Sequence, residues 1–205
     1  MKKNHALLLV LMLVFALSRW PGLMPGNFSA AYAIFFCAGL YFSDWRTLLA
    51  VVGTMLGVDL FISKFGYHNY EFSWRDFLVT MAPNYVAYVL LIFLGRGLGK
   101  KRSWLTLVGG GIVGAFLFYI VTNIGAWITL PYAKTLQGLI QALTVGLPGF
   151  PHTWEFFLNT LLSGGLFTGL FVGAAKMAST AESAEEKREP VPAPEQEPGE
   201  EPSGA

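Results

Sequence analysis

The sequence predicts an all-α membrane protein, a bundle of six transmembrane helices followed by a disordered C-terminal tail. Three observations carry that expectation. The 205 residues are 54% hydrophobic and only 13% charged, with a mean hydropathy of +0.50, whereas soluble domains carry about 25% charged residues. Apolar blocks long enough for helices recur through the first 176 residues. The charge is also divided: residues 1–176 hold 12 Lys and Arg against 5 Asp and Glu, and residues 177–205 hold 2 against 8. Two regions follow, a transmembrane domain over 1–176 and a Pro/Glu-rich tail over 177–205. The basic excess of the first is a matter of loop charges that set topology, and it calls for no nucleic acid.

The elements can be justified in order. Lys2-Lys3 precede an apolar run from Ala6 to Leu17 that ends in "ALSRW". This is a poor signal-peptide cleavage site, so the run reads as a retained first helix, with a signal peptide as the lesser alternative. The second span covers 28–43 and the third 47–63, both short for a hydrocarbon core of ~30 Å. The fourth covers 77–95. Ser73 and Asp76 stand before it at capping-box spacing, and Pro83 inside it is tolerable because neighbouring helices in a membrane can satisfy the freed carbonyl. The fifth covers 104–128 with Ser103 placed as its cap, and the sixth covers 154–175 with Thr153 placed likewise. Between them "AKTLQGLIQALTVGL" (133–147) is apolar with polar interruptions, and it suits a re-entrant or interfacial helix better than a span. The tail from about Ser179 holds five of the eleven prolines and no aromatic residue. It has too little to bury to offset its ordering entropy, so disorder is expected. The single Cys37 permits no intrachain disulfide and reads as a small packing residue.

Loop cations give an orientation. With the N-terminus inside, Lys2, Lys3, Arg46, Arg96, Lys100, Lys101, Arg102 and Lys176 face the cytoplasm, and Arg19, Lys64, Arg75 and Lys134 face outward. Both termini are then cytoplasmic.

On that topology the intramembrane polar residues share one side. Asp59 lies near the outer end of the third span. Asn84 lies about seven residues into the fourth, or ~10 Å at 1.5 Å per residue. Asn123 comes near the outer end of the fifth, and Glu155 and Asn159 occupy the first two turns of the sixth. Polar groups within spans are costly and mark function by default, so an outward-open cup is expected, lined by Asp59, Asn84, Asn123, Trp127, Tyr132, His152, Glu155 and Asn159. Each member has a plainer reading. Glu155 suits a helix N-terminus, Asn123 can satisfy a neighbouring backbone, Asp59 can clamp Arg19 or Lys64, and the tryptophans can anchor at the interface. Gly165, Gly169 and Gly173, at spacing four, form a helix-packing face, as do Gly53 with Gly57 and Gly110 with Gly114. That face packs inside the bundle or docks a partner.

Catalytic patterns are lacking. His5, His68 and His152 make no HExxH spacing, no GxSxG occurs, and "GRGLG" follows no predicted strand. No enzyme activity, cofactor or metal site is expected.

The segments "PGNFSAAYAIFFCAGLYFSD", "GVDLF", "VTNIGAWITLPYAKTLQGLIQAL" and "GLPGFPHTWEFFLNTLLSGGLFTGLFVG" resemble those of a family of uncharacterised bacterial six-helix membrane proteins. That family is in turn similar to the substrate-binding S components of energy-coupling-factor (ECF) transporters. The resemblance covers about residues 1–176. It implies a bacterial inner-membrane location, a vitamin-like or metal-ion substrate near the outer face, and transmembrane and ATPase partner subunits in addition to lipid. S components present small residues at spacing four on the first helix. Here that helix has only Ala6 and Ala16, apart from Ser18 at its end, so either the sixth-helix glycines substitute as the coupling face or the protein does not couple to such a module. Against this reading stands a structural or assembly protein, whose outer polar groups are clamps and whose glycine face is an interaction surface.

Overall fold

The computed structural model describes residues 10, 13–66, 71–99 and 101–186. Among them are seven helices: α1 at 13–19, α2 Ala31–Tyr41, α3 Trp45–Phe61, α4 Trp74–Leu98, α5 Trp104–Thr129, α6 Leu136–Leu143 and α7 Thr153–Glu186. A π-helical turn, Ile62–Gly66, extends α3. The helical stretches Trp45–Gly66, Trp74–Leu98, Trp104–Thr129 and Thr153–Thr180 are long and apolar enough to cross a bilayer. The protein is thus an all-helical, membrane-type fold, with four such spans among the described residues. Two compact units divide at Gly173/Ala174, close to the expected boundary at 176. The described part of the second, 174–186, is helical. Residues 177–186 are therefore helix where the composition suggested tail, since Ala, Met and Glu, which make up most of this stretch, are good helix formers. Residues 187–205 of the expected tail, and the start of the first apolar run, lie outside the described residues.

Side-chain caps fix several helix starts. The hydroxyl of Ser73 accepts from the Asp76 N–H at 3.4 Å, that of Ser103 from Thr106 at 3.1 Å, and that of Thr135 from Gly138 at 3.2 Å. The Asp44 carboxylate accepts from the Thr47 N–H at 3.0 Å and so begins α3 two residues earlier than hydropathy suggested. These two bonds to Thr47, from its N–H and its hydroxyl, also hold the Asp44 carboxyl below its usual range. α4 runs unbroken through Pro83. α6 falls within the segment expected to be re-entrant or interfacial. Its eight residues leave Leu136 and Ile140 exposed and bury Gly138 and Ala142.

The centre of the first unit is α2. Ten of its eleven residues are buried, and it lies against α4 and α5, which also pack on each other. Two glycines set the α2–α4 separation. A Cβ on Gly39 would come within 2.0 Å of the Ile92 carbonyl oxygen, and one on Gly95 within 2.1 Å of that of Phe36. The two backbones therefore touch, as small residues allow in membrane helices. Around this crossing Phe35 stacks on Tyr88 at 4.1 Å, Tyr88 on Phe118 at 5.3 Å, and Tyr32 tilts against Phe118 at 4.6 Å.

The other glycines sort differently from their spacing. Gly165 meets Ile112, and Gly169 and Gly173 meet Trp104, whose Nε1–H donates to the Gly169 carbonyl at 3.1 Å. This face therefore lies against α5. The tighter α5–α7 approach is one step round, where a Cβ on Gly164 would lie 2.4 Å from that of Ala115. At Gly53 and Gly57 an added Cβ would meet nothing within 4 Å among the described residues.

Two measurements check this packing. Gly95→Ala is expected to cost about 1–3 kcal/mol, the usual price of overpacking, read as a lowered Tm in detergent, while Gly53→Ala leaves Tm unchanged or slightly higher. Cysteines at Ser43 and Ser103 should label from one side of the membrane and cysteines at Ser73 and Thr135 from the other, since Arg96 Nη2 reaches the Ser43 carbonyl at 3.1 Å and fixes those ends together.

Candidate functional site

Two cavities meet at one ion pair. Arg19, at the end of α1, donates from Nε at 2.9 Å and Nη2 at 2.7 Å to Oδ1 of Asp59 near the end of α3. Oδ2 of Asp59 accepts from the Tyr85 hydroxyl of α4 at 3.1 Å. Asp59 is 2% exposed, so both of its oxygens are engaged away from water. Burying a lone carboxylate is prohibitive, and a fixed guanidinium with a further hydroxyl is what makes the position tenable. Of the two clamp partners that the sequence offered Asp59, it pairs with Arg19 rather than Lys64.

On one side of the pair lies a cavity of about 380 Å³ lined by Asp59, Ser63, Ser73, Asp76 and Thr80 among others. On the other lies a cavity of about 230 Å³ between the ends of α2, α4, α5 and α7, with Asn84, Thr122 and Asn123 in its wall. Arg19 and Thr80 line both.

The walls of the smaller cavity come from local helix chemistry. Pro83 has no N–H to give the Val79 carbonyl one turn back, and Val79 and Pro83 both line the space. The proline ring seats on Gly125 of α5, where a Cβ would lie 2.3 Å from Pro83 Cγ. The Thr122 hydroxyl donates to the Phe118 carbonyl at 2.9 Å, that of Thr129 to Gly125 at 2.9 Å, and Asn123 Nδ2 to Tyr119 at 2.8 Å. The two hydroxyl protons and one of the two Asn123 amide protons are spent on their own helix, and the oxygens keep acceptor capacity. Asn84 has one partner among the described residues, the sulfur of Met81 at 3.7 Å.

Asn84 and Asn123 are thus brought together, while Asp59 stands behind Arg19 in the wall of the other cavity. The remaining sequence-nominated residues do not line the smaller cavity. Trp127 Nε1 donates to the Ala133 carbonyl at 2.8 Å, and Tyr132 is buried beside it in the chain. His152 Nδ1 lies 3.2 Å from the Val145 carbonyl. Glu155 is exposed on the first turn of α7. Asn159 Nδ2 donates to the Gly26 carbonyl at 2.9 Å, and Tyr32 donates to the Asn27 carbonyl at 2.8 Å, so these two tether the 20–28 loop. Residues missed in the sequence are Arg19, Asn27, Thr80, Thr129 and Thr153. Arg19 had a signal, being an ionisable residue at the end of an apolar run. The threonines had none, since threonine is common in membrane helices. Among the described residues no three His, Cys, Asp or Glu side chains gather as a metal-binding set.

If the pair is a clamp, Tyr85→Phe should cost about 1.5 kcal/mol, a hydrogen bond to a charged group. Asp59→Ala should cost more, about 3 kcal/mol, because it strands a charge. Chemical or thermal unfolding of the purified variants would show this, and equal stability of all three proteins would remove the clamp.

A family of unknown function (DUF6580) matches residues 1–187, and the chain belongs to that family. No curated protein matches it.

Proposed function

We propose that this member of the DUF6580 family binds a small molecule in the cavity between α2, α4, α5 and α7 and serves as a binding or uptake subunit, in the manner of an ECF S component. The observation that carries the reading is the convergence of Asn84, Asn123, Thr122 and Arg19 on one space inside an apolar helical protein. Hydrogen-bonding groups held within a membrane domain are costly unless used, and a concave site with a few convergent polar groups is the usual form of a ligand pocket. The volume of about 230 Å³ lies below the ~300–1,000 Å³ of common pockets, so the occupant is small. In this reading the cavity opens outward, both termini face the cytoplasm of a bacterial inner membrane, and separate transmembrane and ATPase subunits supply energy. Loop 20–28 and segment 129–152 flank the mouth. Loop 20–28 is held by Asn159 and Tyr32, and segment 129–152 by Tyr119, whose hydroxyl donates to the Leu143 carbonyl.

The structural-protein alternative rests on outer polar groups that act as clamps and on a glycine face that docks a partner. The Arg19–Asp59 and Asn159–Gly26 contacts suit its first part, while Trp104 and Ile112 of α5 occupy the Gly165, Gly169 and Gly173 face that its second part needs. Asn123→Ala is expected to weaken ligand binding by roughly 1–3 kcal/mol through an unpaired polar partner, with Tm of the ligand-free protein nearly unchanged. Titration calorimetry alongside thermal unfolding separates the two effects, and an equal fall in Tm with and without ligand would mark Asn123 as purely structural.

A further inference from the structure

The charge balance of the smaller cavity selects among ligands. Its one side chain that carries charge at neutral pH is Arg19, and that charge is already matched by Asp59. Both carboxylate oxygens already have partners, Tyr85 holding the second, and Asp59 itself does not line this cavity. A cationic ligand would therefore sit beside a guanidinium with no carboxylate available to it. An anionic ligand would find no unmatched positive charge, and would face the hydroxyl oxygens of Thr122 and Thr129 and the Val79 carbonyl that Pro83 leaves without its helical donor, beside the Asn123 and Asn84 amides, each of which offers an acceptor oxygen and a second N–H donor. An uncompensated charge in a partly buried site is expensive. A neutral molecule carrying both an N–H donor and a carbonyl acceptor meets neither penalty and matches the amides as well as the hydroxyl and carbonyl oxygens.

Resting on the binding reading above, we propose that the site takes a small uncharged N–H donor of the carboxamide or lactam class, and that the Arg19–Asp59 pair enforces this preference by keeping the wall electrically neutral. Phe118, Phe156 and Tyr32 in the same wall supply flat apolar surface for the body of such a molecule.

Three probes on one skeleton test it: benzamide, benzoate and benzylammonium, with butyramide, butyrate and butylammonium as an aliphatic set. They are added to the purified full-length protein at constant ionic strength, and affinity is read from the concentration dependence of Tm. The amides are expected to bind at least about tenfold more tightly than either ion, a difference of 1.4 kcal/mol. Asp59→Asn leaves Arg19 unmatched and should move the preference to the carboxylates. Arg19→Gln leaves Asp59 unmatched and should move it to the ammonium probes. If either single variant fails to fold, the double variant Arg19→Gln/Asp59→Asn removes both charges at near-constant shape and should keep the amide preference. An ion favoured by the wild-type protein overturns the charge-balance inference while leaving the binding site standing. So does an order of probes that neither single variant changes, or a double variant that loses the amide preference. If no probe of either set shifts Tm, the binding reading falls and this inference falls with it.

Discussion

The contact on which the rest of the first unit depends is backbone against backbone, where Gly39 and Gly95 let α2 and α4 meet with no side chain between them. In a bilayer, helices gain nothing from hiding apolar surface from lipid, so close approach must be held by shape and dispersion. The two glycines provide that approach at one end of α2. Toward the other end the spacing is taken up by rings: Phe35, Tyr88, Phe118 and Tyr32 form a continuous stack across α2, α4 and α5. Its last members, Tyr32 and Phe118, are also walls of the smaller cavity. The crossing thus places the site, since α2 is pulled tight at one end and propped apart by aromatics at the other.

The ion pair uses the same opening. Arg19 and Asp59 come from α1 and α3, and Tyr85 from α4. One buried carboxylate therefore ties three helices at the propped end. Its position between two cavities means that its state is felt on both sides, through Arg19 and Thr80 in each wall. A clamp and a selectivity element are compatible roles for such a pair. The desolvation that makes it costly to break also makes its charge effective on whatever lies beside it.

Much of the fold was legible in the sequence because helix limits have local causes. Ser73 and Ser103 cap as their spacing suggested, and the apolar runs at 77–95 and 104–128 became α4 and α5 with only small extensions. Depth along a helix was equally readable by counting residues, which is why Asn84 and Asn123 do share one cavity. Rotation about the axis was not readable. Glu155 lies at the right depth but on an exposed face of α7, and Asn159, one turn on, points its amide to the Gly26 backbone. The glycines show the same limit. Spacing four within one helix nominated Gly53 and Gly57, where an added Cβ would meet nothing within 4 Å among the described residues. The functional pair, Gly39 and Gly95, lies on two helices and has no within-helix period. The one hint was that α2 is apolar around its whole circumference, the pattern of a helix enclosed on all sides.

That enclosure also bears on how α2 can exist in a membrane. Eleven residues span only ~16 Å at 1.5 Å per residue, about half of the ~30 Å hydrocarbon thickness. Irregular backbone at membrane depth is tolerable only where protein covers it; Ser29 and Ala30, directly before α2, are buried, while residues 22–27 ahead of them are exposed. The Ser18 hydroxyl accepts from the Ala30 N–H at 3.1 Å, and that of Ser29 from the Ala31 N–H at 3.1 Å. The segment therefore trades a full-length span for a short central helix with satisfied ends, and the smaller cavity begins where that helix begins, at Asn27 and Tyr32. A full-length α2 would fill this space with its own continuing turns. The short helix that made the second span look deficient in the sequence is thus what leaves room for the site.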